Sequence, residues 1–391
     1  MEKVYLLDGA RTAFGGFAGS LKNVSSTDLG VTASKAALDK AKVDAKDIEQ
    51  AVFGNVIHTS TSAVYLARHI ALYSGVPQEK PALTVNRLCG SGLQAAISAA
   101  QSMMLGEAQT ALVGGAENMS MSPHADFKTR ANGAKFGSVV LEDMLLNTLT
   151  DAYTGVGMGM TAENLAQKYD ISRKEQDEFA YLSHMRAAEA RNNGRFAKEI
   201  TPVSTKKGLV DKDEHIRAGT SADQLVSLKP TFKKDGTVTA GNSSGINDGA
   251  AALVLASDQF VNARNRQPLA EIVSWGIAGV DPNYMGIGPV PAIKQALSRA
   301  GLQLSDISLI EVNEAFAAQY LAVEKELGLD RDITNVNGGA IALGHPVGAS
   351  GSRILLSLAY ELRERGCRYG LASLCIGGGQ GIAMIIKNMN E

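Results

Sequence analysis

The sequence predicts an α/β fold of five layers, α-β-α-β-α, built from two copies of one unit, with a loop domain inserted into the first copy. Three observations predict it. The chain repeats itself at a constant offset, helical and strand-like segments alternate within each copy, and one helix is apolar on nearly every face. The length of 391 residues also exceeds the roughly 100–200 residues of an ordinary domain.

The internal repeat is the strongest of these observations. Residues 33–48 match residues 292–307 at several positions, and each matching pair is separated by 259. The same offset relates residues 91–92 to residues 350–351. It also relates Leu112 to Leu371, and an offset held over nearly eighty residues without a gap indicates two copies of one fold.

The last strand of each copy sets the size of the insertion. Gly249 and the apolar run after it resemble Gly381 and the run after that, at an offset of 132. The first copy therefore carries 259 − 132 = 127 additional residues. The predicted organisation is a first half of residues 1–119 and 248–268, an inserted loop domain of residues 120–247, and a second half of residues 269–391.

The first copy alternates between strand and helix signals. Residues 1–8 predict a short strand, with neither the basic start nor the long apolar run of a signal peptide. Residues 31–41 predict a helix, and residues 51–56 a short apolar strand. Residues 82–85 and 110–113 are further strand segments. Alternation of this kind is typical of a layered α/β fold.

The segment 90–105 predicts how the layers are arranged. It is a helix of small residues that is apolar on nearly every face, through Leu93, Ala96, Ile97 and Ala100 among others. A helix of that kind is buried on all sides. We therefore expect the two copies to pack face to face, with helices between their two sheets.

The inserted segment contains one strongly predicted helix, residues 173–192, with apolar residues such as Leu182 and Met185 at helical spacing. Ser172 is its predicted N-cap. Glu175, three residues further on, completes a capping box.

Composition narrows the classes of function. The 38 Lys and Arg residues nearly balance the 40 Asp and Glu residues, and the net charge of −2 argues against a nucleic-acid-binding protein. No run approaches the ~18 apolar residues of a membrane span. Three cysteines argue against a disulfide framework and for a reducing compartment. We therefore expect a cytoplasmic protein that binds neither nucleic acid nor membrane.

Cys89 is the first residue with a chemical signal. It lies in the segment NRLCGSGL, residues 86–93, after a strand-like run and at the start of a helix. A helix N-terminus favours a thiolate, and the neighbouring glycines let a substrate approach the backbone. A free cysteine is also commonly a small core hydrophobe, so both interpretations stay open for Cys89 alone.

His345 is the one histidine of the glycine-rich segment NVNGGAIALGHPVGASG, residues 335–351. The proline after it restricts the backbone, and a base that serves a thiol needs a fixed position. The alternative is a structural histidine of a loop. The other five histidines lie in ordinary polar or helical contexts and are not expected to be catalytic: His58, His69, His124, His184 and His215.

Cys375 ends the strand-like run 371–374 and enters the segment CIGGGQG. Runs of glycine present backbone N–H groups either to a phosphate or to an oxyanion. The phosphate interpretation is weak, because no G-x-x-x-x-G-K-[ST] pattern is present. Cys367, in a charged helix end, has no expected role.

The segment EVNEAF, residues 311–316, follows a strand-like run at 307–310 and begins a helix. Asn313 or Glu314 enters the site in one interpretation. In the other, the carboxylate is an ordinary feature of a helix N-terminus. No pair of Cys or His residues has zinc-finger spacing and no H-E-x-x-H motif occurs, so we expect no metal site.

Taken together, these segments resemble the thiolase family over essentially the whole chain. Besides the segments around Cys89, Asn313, His345 and Cys375, the resemblance rests on DGART at residues 8–12, GGAENMS at residues 114–120 and TAGNSSG at residues 239–245. Their order and spacing agree throughout. The family's fold is five-layered and duplicated, with a loop domain inserted in the first half, which agrees with the repeat.

The resemblance implies reversible acyl transfer between a 3-ketoacyl-CoA plus CoA and acetyl-CoA plus an acyl-CoA, with ping-pong kinetics. It implies that Cys89 carries the acyl group as a thioester, that His345 takes its proton, and that Cys375 is the second acid and base. The backbone N–H groups of Cys89 and Gly377 would form one oxyanion hole. His345 and a water held by Asn313 would form the other. CoA thioesters are then substrates, and no metal or redox cofactor is implied.

The resemblance also implies where coenzyme A lies and how chains associate. Coenzyme A would lie against the inserted domain, with Arg217 on its adenine side, Ser244 near its pantetheine and Phe232 in the same region. The segment 121–138 resembles the loop through which thiolase dimers pair into tetramers, so we expect a homotetramer.

The chain departs from short-chain biosynthetic thiolases at Gly157, where those enzymes carry a histidine before a methionine. Met158 is kept, as is Met285. Without the histidine, a polar wall near the acyl pocket is lost. We therefore expect acetoacetyl-CoA and somewhat longer 3-ketoacyl-CoAs as substrates, which leaves acetyl-CoA acetyltransferase and acetyl-CoA acyltransferase both open.

Three other interpretations compete with a thiolase. A decarboxylating condensing enzyme of the ketoacyl-synthase type would lack the second cysteine, Cys375. A non-catalytic acyl-CoA or lipid-binding protein of the same fold would be expected to have lost Cys89, His345 or Cys375, and this chain keeps all three. The third is a thiol redox switch that joins Cys89 to Cys375, which is compatible with an enzyme as a form of regulation.

Overall fold

The computed structural model describes residues 2–133 and 136–390. Met1, Ala134, Lys135 and Glu391 lie outside them, so each of the three predicted regions is described without one or two of its residues. Helices and strands alternate along the chain and assemble into the predicted five layers. In the part of the chain that is described, no helix is long and apolar enough to cross a membrane.

The first part of the chain forms strands and helices in alternation. They are β1 (Val4–Thr12), β2 (Gly15–Gly16), α1 (Ser26–Ala41), β3 (Gln50–Gly54), α2 (Leu66–Tyr73), β4 (Ala82–Val85), α3 (Ser91–Met104) and β5 (Thr110–Asn118). Helix α1 begins at Ser26 rather than at residue 31. The reason is its cap, since the side chain of Ser25 accepts a hydrogen bond from the N–H of Asp28.

Strand β5 is longer than the sequence predicted. The prediction ended at residue 113, whereas the strand continues through the polar segment after it, and every residue of the strand is buried. Asn118 is compatible with burial because its Nδ2 donates to the carbonyl oxygens of Leu21 (3.1 Å) and Val24 (2.7 Å). Hydrogen bonding therefore extends the strand beyond its apolar run.

Short elements and two longer helices follow in the inserted region. They are β6 (His124–Ala125), α4 (Thr129–Asn132), β7 (Glu142–Asp143), α5 (Met144–Thr148), β8 (Thr150–Asp151), β9 (Val156–Gly157), α6 (Met158–Lys168), α7 (Arg173–Asn192), β10 (Ile200–Thr201), β11 (Val203–Thr205), β12 (Gly208–Val210) and α8 (Ala222–Val226). Helix α7 has the predicted bounds and the predicted capping box of Ser172 and Glu175. Of its predicted apolar residues, Phe179 and Ala188 are buried, whereas Leu182 and Met185 are only partly buried, and Ser183 and His184 lie on the buried face instead.

The last part of the chain repeats the alternation of the first. Its elements are β13 (Asn247–Ser257), α9 (Asp258–Ala263), β14 (Ala270–Gly279), α10 (Pro289–Ala300), β15 (Leu309–Val312), α11 (Ala317–Leu327), α12 (Ala340–Leu343), α13 (Ser350–Arg365), β16 (Tyr369–Ile376) and β17 (Gln380–Asn388). The strand predicted at residues 307–310 lies at Leu309–Val312, because Leu304–Asp306 first forms a 3₁₀ turn.

The duplication is visible in the order of the strands. One continuous hydrogen-bonded order runs through both β-layers: β4-β3-β5-β13-β1 form the sheet of one layer, and β14-β17-β16-β15 continue it as the sheet of the other. Shifting β3 by 259 gives β15, shifting β5 gives β16, and shifting α3 gives α13. The two sheets join at one edge, where Tyr5 and Leu6 of β1 pair with Glu271 and Ala270 of β14.

Helices α3 and α13 form the middle layer. Their apolar side chains share one buried core with the inner faces of both sheets. The helices cross at paired glycines: a Cβ on Gly92 would lie 2.4 Å from the N of Ser352, and one on Gly351 would lie 2.3 Å from the N of Leu93. Helix α1 packs on the outer face of one sheet and α10 on that of the other, which completes the layers.

Candidate active site

Cys89 lies in a tight turn between β4 and α3. Leu88, just before it, has φ of 47°, in the left-handed region. Hydrogen bonds hold the turn: Asn86 Oδ1 accepts from the N–H of Leu88 (3.0 Å), and Ser91 Oγ accepts from the N–H of Arg87 (2.9 Å). Ser91 Oγ also donates to the carbonyl oxygen of Leu88 (2.7 Å). The turn places Cys89 just ahead of the first residue of α3.

The thiol of Cys89 is neutral at neutral pH. Burial raises its pKa to about 11, and the carboxylate of Glu117 nearby raises it further. The backbone N–H groups of Gly377 and of Cys89 itself act on the sulfur in the opposite direction, but less strongly. The sequence indicated that the helix N-terminus would favour a thiolate, and burial outweighs that effect. Part of the residue stays exposed, so a reactant can reach it, but the sulfur needs a base.

His345 lies in a turn that the first half of the fold holds in place. Its backbone N–H donates to Oδ1 of Asn247, on β13, at 2.9 Å. Gly344 before it has φ of 102°, and a Cβ there would lie 2.4 Å from the amide carbon of Asn247. Burial lowers the pKa of His345 to about 4, and the guanidinium of Arg353 lowers it further. The imidazole is therefore neutral at neutral pH and able to accept a proton.

The contacts of the ring indicate which nitrogen accepts that proton. Nδ1 of His345 lies 2.6 Å from Oγ of Ser350, which also lies 3.0 Å from the carbonyl oxygen of Pro346. A hydroxyl that donates its one hydrogen to that carbonyl accepts from an N–H at Nδ1. Nδ2 of Asn313, a donor, lies 3.4 Å from Nε2. Both contacts place the N–H on Nδ1 and the lone pair on Nε2.

Asn313 and Glu314, which follow β15, have different surroundings. Asn313 is buried, and its Oδ1 has no hydrogen-bond partner among the described residues. A buried acceptor without a partner beside His345 is suited to hold a water. Glu314 accepts instead from Oγ of Ser183 (2.6 Å) and Nδ2 of Asn335 (2.9 Å). Of the two residues, Asn313 contacts His345, and Glu314 supports the loop that leads to it.

Cys375 is fully buried near the end of β16. Burial raises the pKa of its thiol well above the usual range, and the nearby sulfur of Cys89 adds to the effect. Met285 is buried in the same small cluster, with Met158 packed against it. The turn after β16 begins at Gly377, where a Cβ would lie 3.2 Å from the sulfur of Met158. The turn of Cys89 contacts the same place, because a Cβ on Gly377 would also lie 3.3 Å from Cδ1 of Leu88.

Phe232 and Ser244 connect the inserted region to this cluster. The ring of Phe232 lies edge-on to that of Phe316, with 6.0 Å between the ring centres. The N–H of Ser244 donates to the carbonyl oxygen of Ala315 at 2.9 Å. Ala315 is buried beside Cys375, and Phe316 packs against the same cluster. Both predicted residues therefore reach the border of the site.

Arg217 lies further away, on a cavity of about 300 Å³. Its side chain is exposed, and its backbone N–H donates to Nδ1 of His184 at 3.3 Å. His184 and His215 line the same cavity, as does Ile341 of α12, which precedes His345. The cavity therefore lies between the inserted region and the loop that carries His345.

Sequence reasoning missed three residues that organise the site: Glu117, Asn247 and Ser350. A signal was available for two of them. Glu117 is a carboxylate next to an apolar strand, and Ser350 is a hydroxyl one helical turn beyond Pro346. Asn247 gave no signal, because its contact with the turn of His345 depends on how the two halves pack.

Comparisons with known proteins agree with this geometry. The family model described as "Thiolase, N-terminal domain" matches residues 4–259, and "Thiolase, C-terminal domain" matches residues 266–388. The mitochondrial 3-ketoacyl-CoA thiolase of Homo sapiens is 52% identical over 393 residues, with 99% of each chain covered. An acetyl-CoA acetyltransferase of Rhizobium meliloti is 48% identical over 391 residues, also with 99% of each chain covered.

A solved structure shows the same fold. The crystal structure of human mitochondrial 3-ketoacyl-CoA thiolase in complex with CoA superposes with a TM-score of 0.97 at 50% identity, and covers 99% of this chain and 98% of that one. The agreement extends over both halves and the inserted region. With two cysteines and a histidine that converge from the two copies of one fold, and with both family models matched, the chain belongs to the thiolase family.

Proposed function

We propose that this chain catalyses reversible acyl transfer between a 3-ketoacyl-CoA plus CoA and acetyl-CoA plus an acyl-CoA, and that Cys89 carries the acyl group. The observation that carries the proposal is the contact between the segments that hold the two cysteines: a Cβ on Gly377 would lie 3.3 Å from Cδ1 of Leu88, and one on Gly90 would lie 2.5 Å from Cδ1 of Ile376. A single nucleophile would serve acyl transfer alone. A second buried thiol supplies the proton that C–C bond cleavage requires.

The first half-reaction forms the acyl-enzyme. Nε2 of His345 takes the proton of Cys89 as the sulfur attacks the 3-keto carbon. The bond between C2 and C3 of the substrate then breaks, its electron pair passes to acetyl-CoA as an enolate, and Cys375 protonates that carbon. Acetyl-CoA leaves, and the acyl group stays on Cys89 as a thioester.

The second half-reaction releases the acyl group. The Cys375 thiolate takes the proton of the incoming CoA thiol, whose sulfur attacks the thioester. The sulfur of Cys89 leaves and recovers its proton from His345. Condensation runs the same steps in reverse, with Cys375 removing a proton from the methyl group of acetyl-CoA.

Two sets of donors would stabilise the oxyanions of these steps. The N–H groups of Cys89 and Gly377 would hold the oxygen of the acyl group on Cys89, and their closeness to its sulfur supports that role. His345 and a water on Asn313 would hold the enolate oxygen. The Oδ1 of Asn313 that has no partner among the described residues supports the water.

CoA thioesters are the substrates in this proposal, and no step requires a metal or a redox cofactor. The pantetheine would pass Ser244 and Phe232 on its way from the cysteines, and the adenine side would lie near Arg217. Support comes from the placement of these residues along a path from Cys375 to the cavity beside His184.

The acyl range extends beyond acetoacetyl-CoA in this proposal. A Cβ on Gly157 would meet only the carbonyl oxygen of Leu149 at 3.6 Å and Oγ1 of Thr150 at 4.0 Å. The position therefore leaves room beside Met158 that a histidine would fill. Relatives near 50% identity include both 3-ketoacyl-CoA thiolases and acetyl-CoA acetyltransferases.

The chain also associates with copies of itself in this proposal, as a homotetramer. Residues 121–138 expose Phe127 and Phe136, although Ala134 and Lys135 of this segment lie outside the described residues, and Val140 just after the segment is exposed as well. Strand β4 is an edge strand with Leu83 exposed. Exposed apolar side chains on an unpaired edge are suited to association. Light scattering that gives the mass of one chain would contradict it.

For the compartment we propose the cytoplasm, and the support is limited to the three free cysteines, which suit a reducing environment. Cell fractionation that recovers the protein from an organelle would contradict it. The relatives include a mitochondrial protein.

Steady-state thiolysis of a series of 3-ketoacyl-CoAs, starting from acetoacetyl-CoA, tests the proposal. We expect activity with the four-carbon substrate and with longer ones, and none in Cys89→Ala. A sharp fall after four carbons would contradict the proposed acyl range. Activity that persists in Cys89→Ala would contradict the mechanism.

A further inference from the structure

Glu117 is a fully buried carboxylate at the end of β5 that the proposed mechanism leaves without a role. Its two oxygens accept four hydrogen bonds. Oε2 accepts from the N–H of Val56 (2.9 Å) and of Gly348 (3.0 Å). Oε1 accepts from the N–H of Ile57 (3.1 Å) and from Nδ2 of Asn55 (3.0 Å). Burial raises the pKa of this carboxyl group to about 8, and the N–H groups of Ile57, Val56 and Gly348 act in the opposite direction.

These bonds join the two halves of the fold beside the site. Gly348 belongs to the turn of His345, whereas Val56 follows β3 in the first half. The backbones touch here: a Cβ on Gly115 would lie 1.9 Å from the carbonyl oxygen of Gly348. Glu117 is the side chain that bonds both sides of this contact.

The same bonds continue to the turn of Cys89. The carbonyl oxygen of Val56 accepts from Nδ2 of Asn86 at 3.3 Å, and Oδ1 of Asn86 accepts from the N–H of Leu88 at 3.0 Å. Leu88 precedes Cys89. A path of hydrogen bonds therefore runs from the turn of His345, through Glu117, to the turn of Cys89.

We propose that Glu117 is a positioning residue of the thiolase reaction, which fastens the turn of His345 to the turn of Cys89 and so keeps Nε2 within reach of the thiol. The inference rests on the proposed function, since it assigns Glu117 a role only if His345 serves Cys89. Glu117 touches neither substrate nor reacting atoms in that mechanism. Its hydrogen bonds, rather than its charge, perform the function.

Two conservative variants separate the bonds from the charge. Glu117→Gln cannot ionise and keeps one oxygen for Val56 and Gly348, the two bonds that bridge the halves, but it loses the bond from the backbone N–H of Ile57, because an amide nitrogen donates and does not accept. Its new amide group can face Asn55, whose own Oδ1 has no partner among the described residues and can turn to accept. Glu117→Asp keeps the charge but is one methylene shorter, so it cannot reach Val56 and Gly348 from the same backbone position.

We expect Glu117→Asp to lower kcat by about tenfold to a hundredfold, because a displacement of about 1 Å in a reacting group costs rates of that order. KM for acetoacetyl-CoA should change by less than about threefold, since the region around Arg217 is untouched. Glu117→Gln should keep kcat within about threefold of the unchanged enzyme. The single-turnover rate of acyl-enzyme formation should likewise be close to that of the unchanged enzyme in Glu117→Gln and much lower in Glu117→Asp.

Glu361→Ala is the matched control. Glu361 is also a buried carboxylate with several partners, Arg195, Arg365 and Asn337, but it lies near the far end of α13 from Ser350. The Glu361→Ala variant should have a lower melting temperature and an unchanged rate of acyl-enzyme formation. Equal losses of kcat in Glu117→Asp and Glu361→Ala, in proportion to lost stability, would show a merely structural role.

The other outcomes also decide the matter. If the kcat of Glu117→Gln is as low as that of Glu117→Asp, or lower, the effect belongs to the charge and the proposal is overturned. Full kcat in Glu117→Asp would overturn it as well. Activity in Cys89→Ala would contradict the proposed function instead, so the two failures are distinguishable.

Discussion

At the scale of single residues, burial keeps both reacting groups neutral. It raises the pKa of the Cys89 thiol to about 11 and lowers the pKa of His345 to about 4. A thiolate–imidazolium pair is therefore disfavoured before substrate binds. In the proposed reaction the proton moves from Cys89 to His345 only as the sulfur attacks, because the forming bond then removes the negative charge from the sulfur.

The reactivity of Cys89 toward iodoacetamide should show this pKa. The thiolate reacts, and a pKa near 11 means that its fraction rises about tenfold with each pH unit below that value. We expect the rate at Cys89, followed by peptide mass spectrometry, to keep rising between pH 8.5 and 10. Cys89→Ser identifies the signal. A rate that levels off below pH 8 would show that the thiol ionises far more readily than its burial implies.

Ser350→Ala tests the role of the hydroxyl on Nδ1 of His345. Without it, only the longer contact from Nδ2 of Asn313 favours the tautomer with its lone pair at Nε2, so we expect kcat to fall by about tenfold to a hundredfold, part of what a positioned base contributes. The KM for CoA should change little. Steady-state kinetics measures both.

Ser352→Ala is the control for that variant. Its hydroxyl is buried on the same helix but donates to the carbonyl oxygen of Gly92 at 3.1 Å, away from the ring of His345. It should keep kcat close to that of the unchanged enzyme. Equal activity of both variants would remove the role assigned to Ser350.

At the scale of elements, the crossing of α3 and α13 sets the geometry of the middle layer. Both helices carry a glycine at the equivalent place of the repeat, and the two backbones touch there. Cys89 lies just before α3, and the turn of His345 leads into α13. The close crossing therefore brings the proposed nucleophile and its proposed base together from the two halves.

Gly351→Ala should separate these helices. The new Cβ would lie 2.3 Å from the backbone N of Leu93, which no side-chain movement relieves. We expect the free energy of unfolding in urea to fall by about 1–3 kcal/mol, the usual cost of overpacking. Gly219→Ala, where no described atom lies within 4 Å of the added Cβ, should have little effect. Similar stability of the two variants would contradict the tight crossing.

At the scale of the whole molecule, buried ion pairs connect the two halves to the inserted region. Arg11 of β1 lies 2.7 Å from Glu199 and 2.7 Å from Asp213, and all three are buried. Arg195 joins Glu199 to Glu361 of α13. Each region supplies charges that the others neutralise, so these regions are expected to unfold together.

Arg11→Met tests that connection. It leaves Asp213 buried without its cation, and we expect the free energy of unfolding to fall by about 3–5 kcal/mol. Lys3→Met removes the exposed pair with Glu271 and should cost less than about 1 kcal/mol. Urea denaturation measures both. A small effect at Arg11 would show that the regions do not depend on this cluster.

The sequence by itself determined the duplication, the five layers and the residue types of the site. The constant offset of the repeat required two similar halves, and the all-apolar helix 90–105 could only lie between them. Cys89, His345 and Cys375 were identifiable because each lies in a glycine-rich segment. A reactive side chain in such a segment can be recognised from a few consecutive residues. The helix bounds at Arg173–Asn192 followed from its capping box for the same local reason.

Tertiary structure alone decided the protonation and the positioning of those groups. The thiol of Cys89 is less acidic than its helix position suggested, because burial depends on residues from the other half. Glu117, Asn247 and Ser350 act through contacts of the turn of His345, two of them with residues more than ninety positions away. A local pattern carries no information on such partners, since packing of the two halves is what brings them within hydrogen-bond distance.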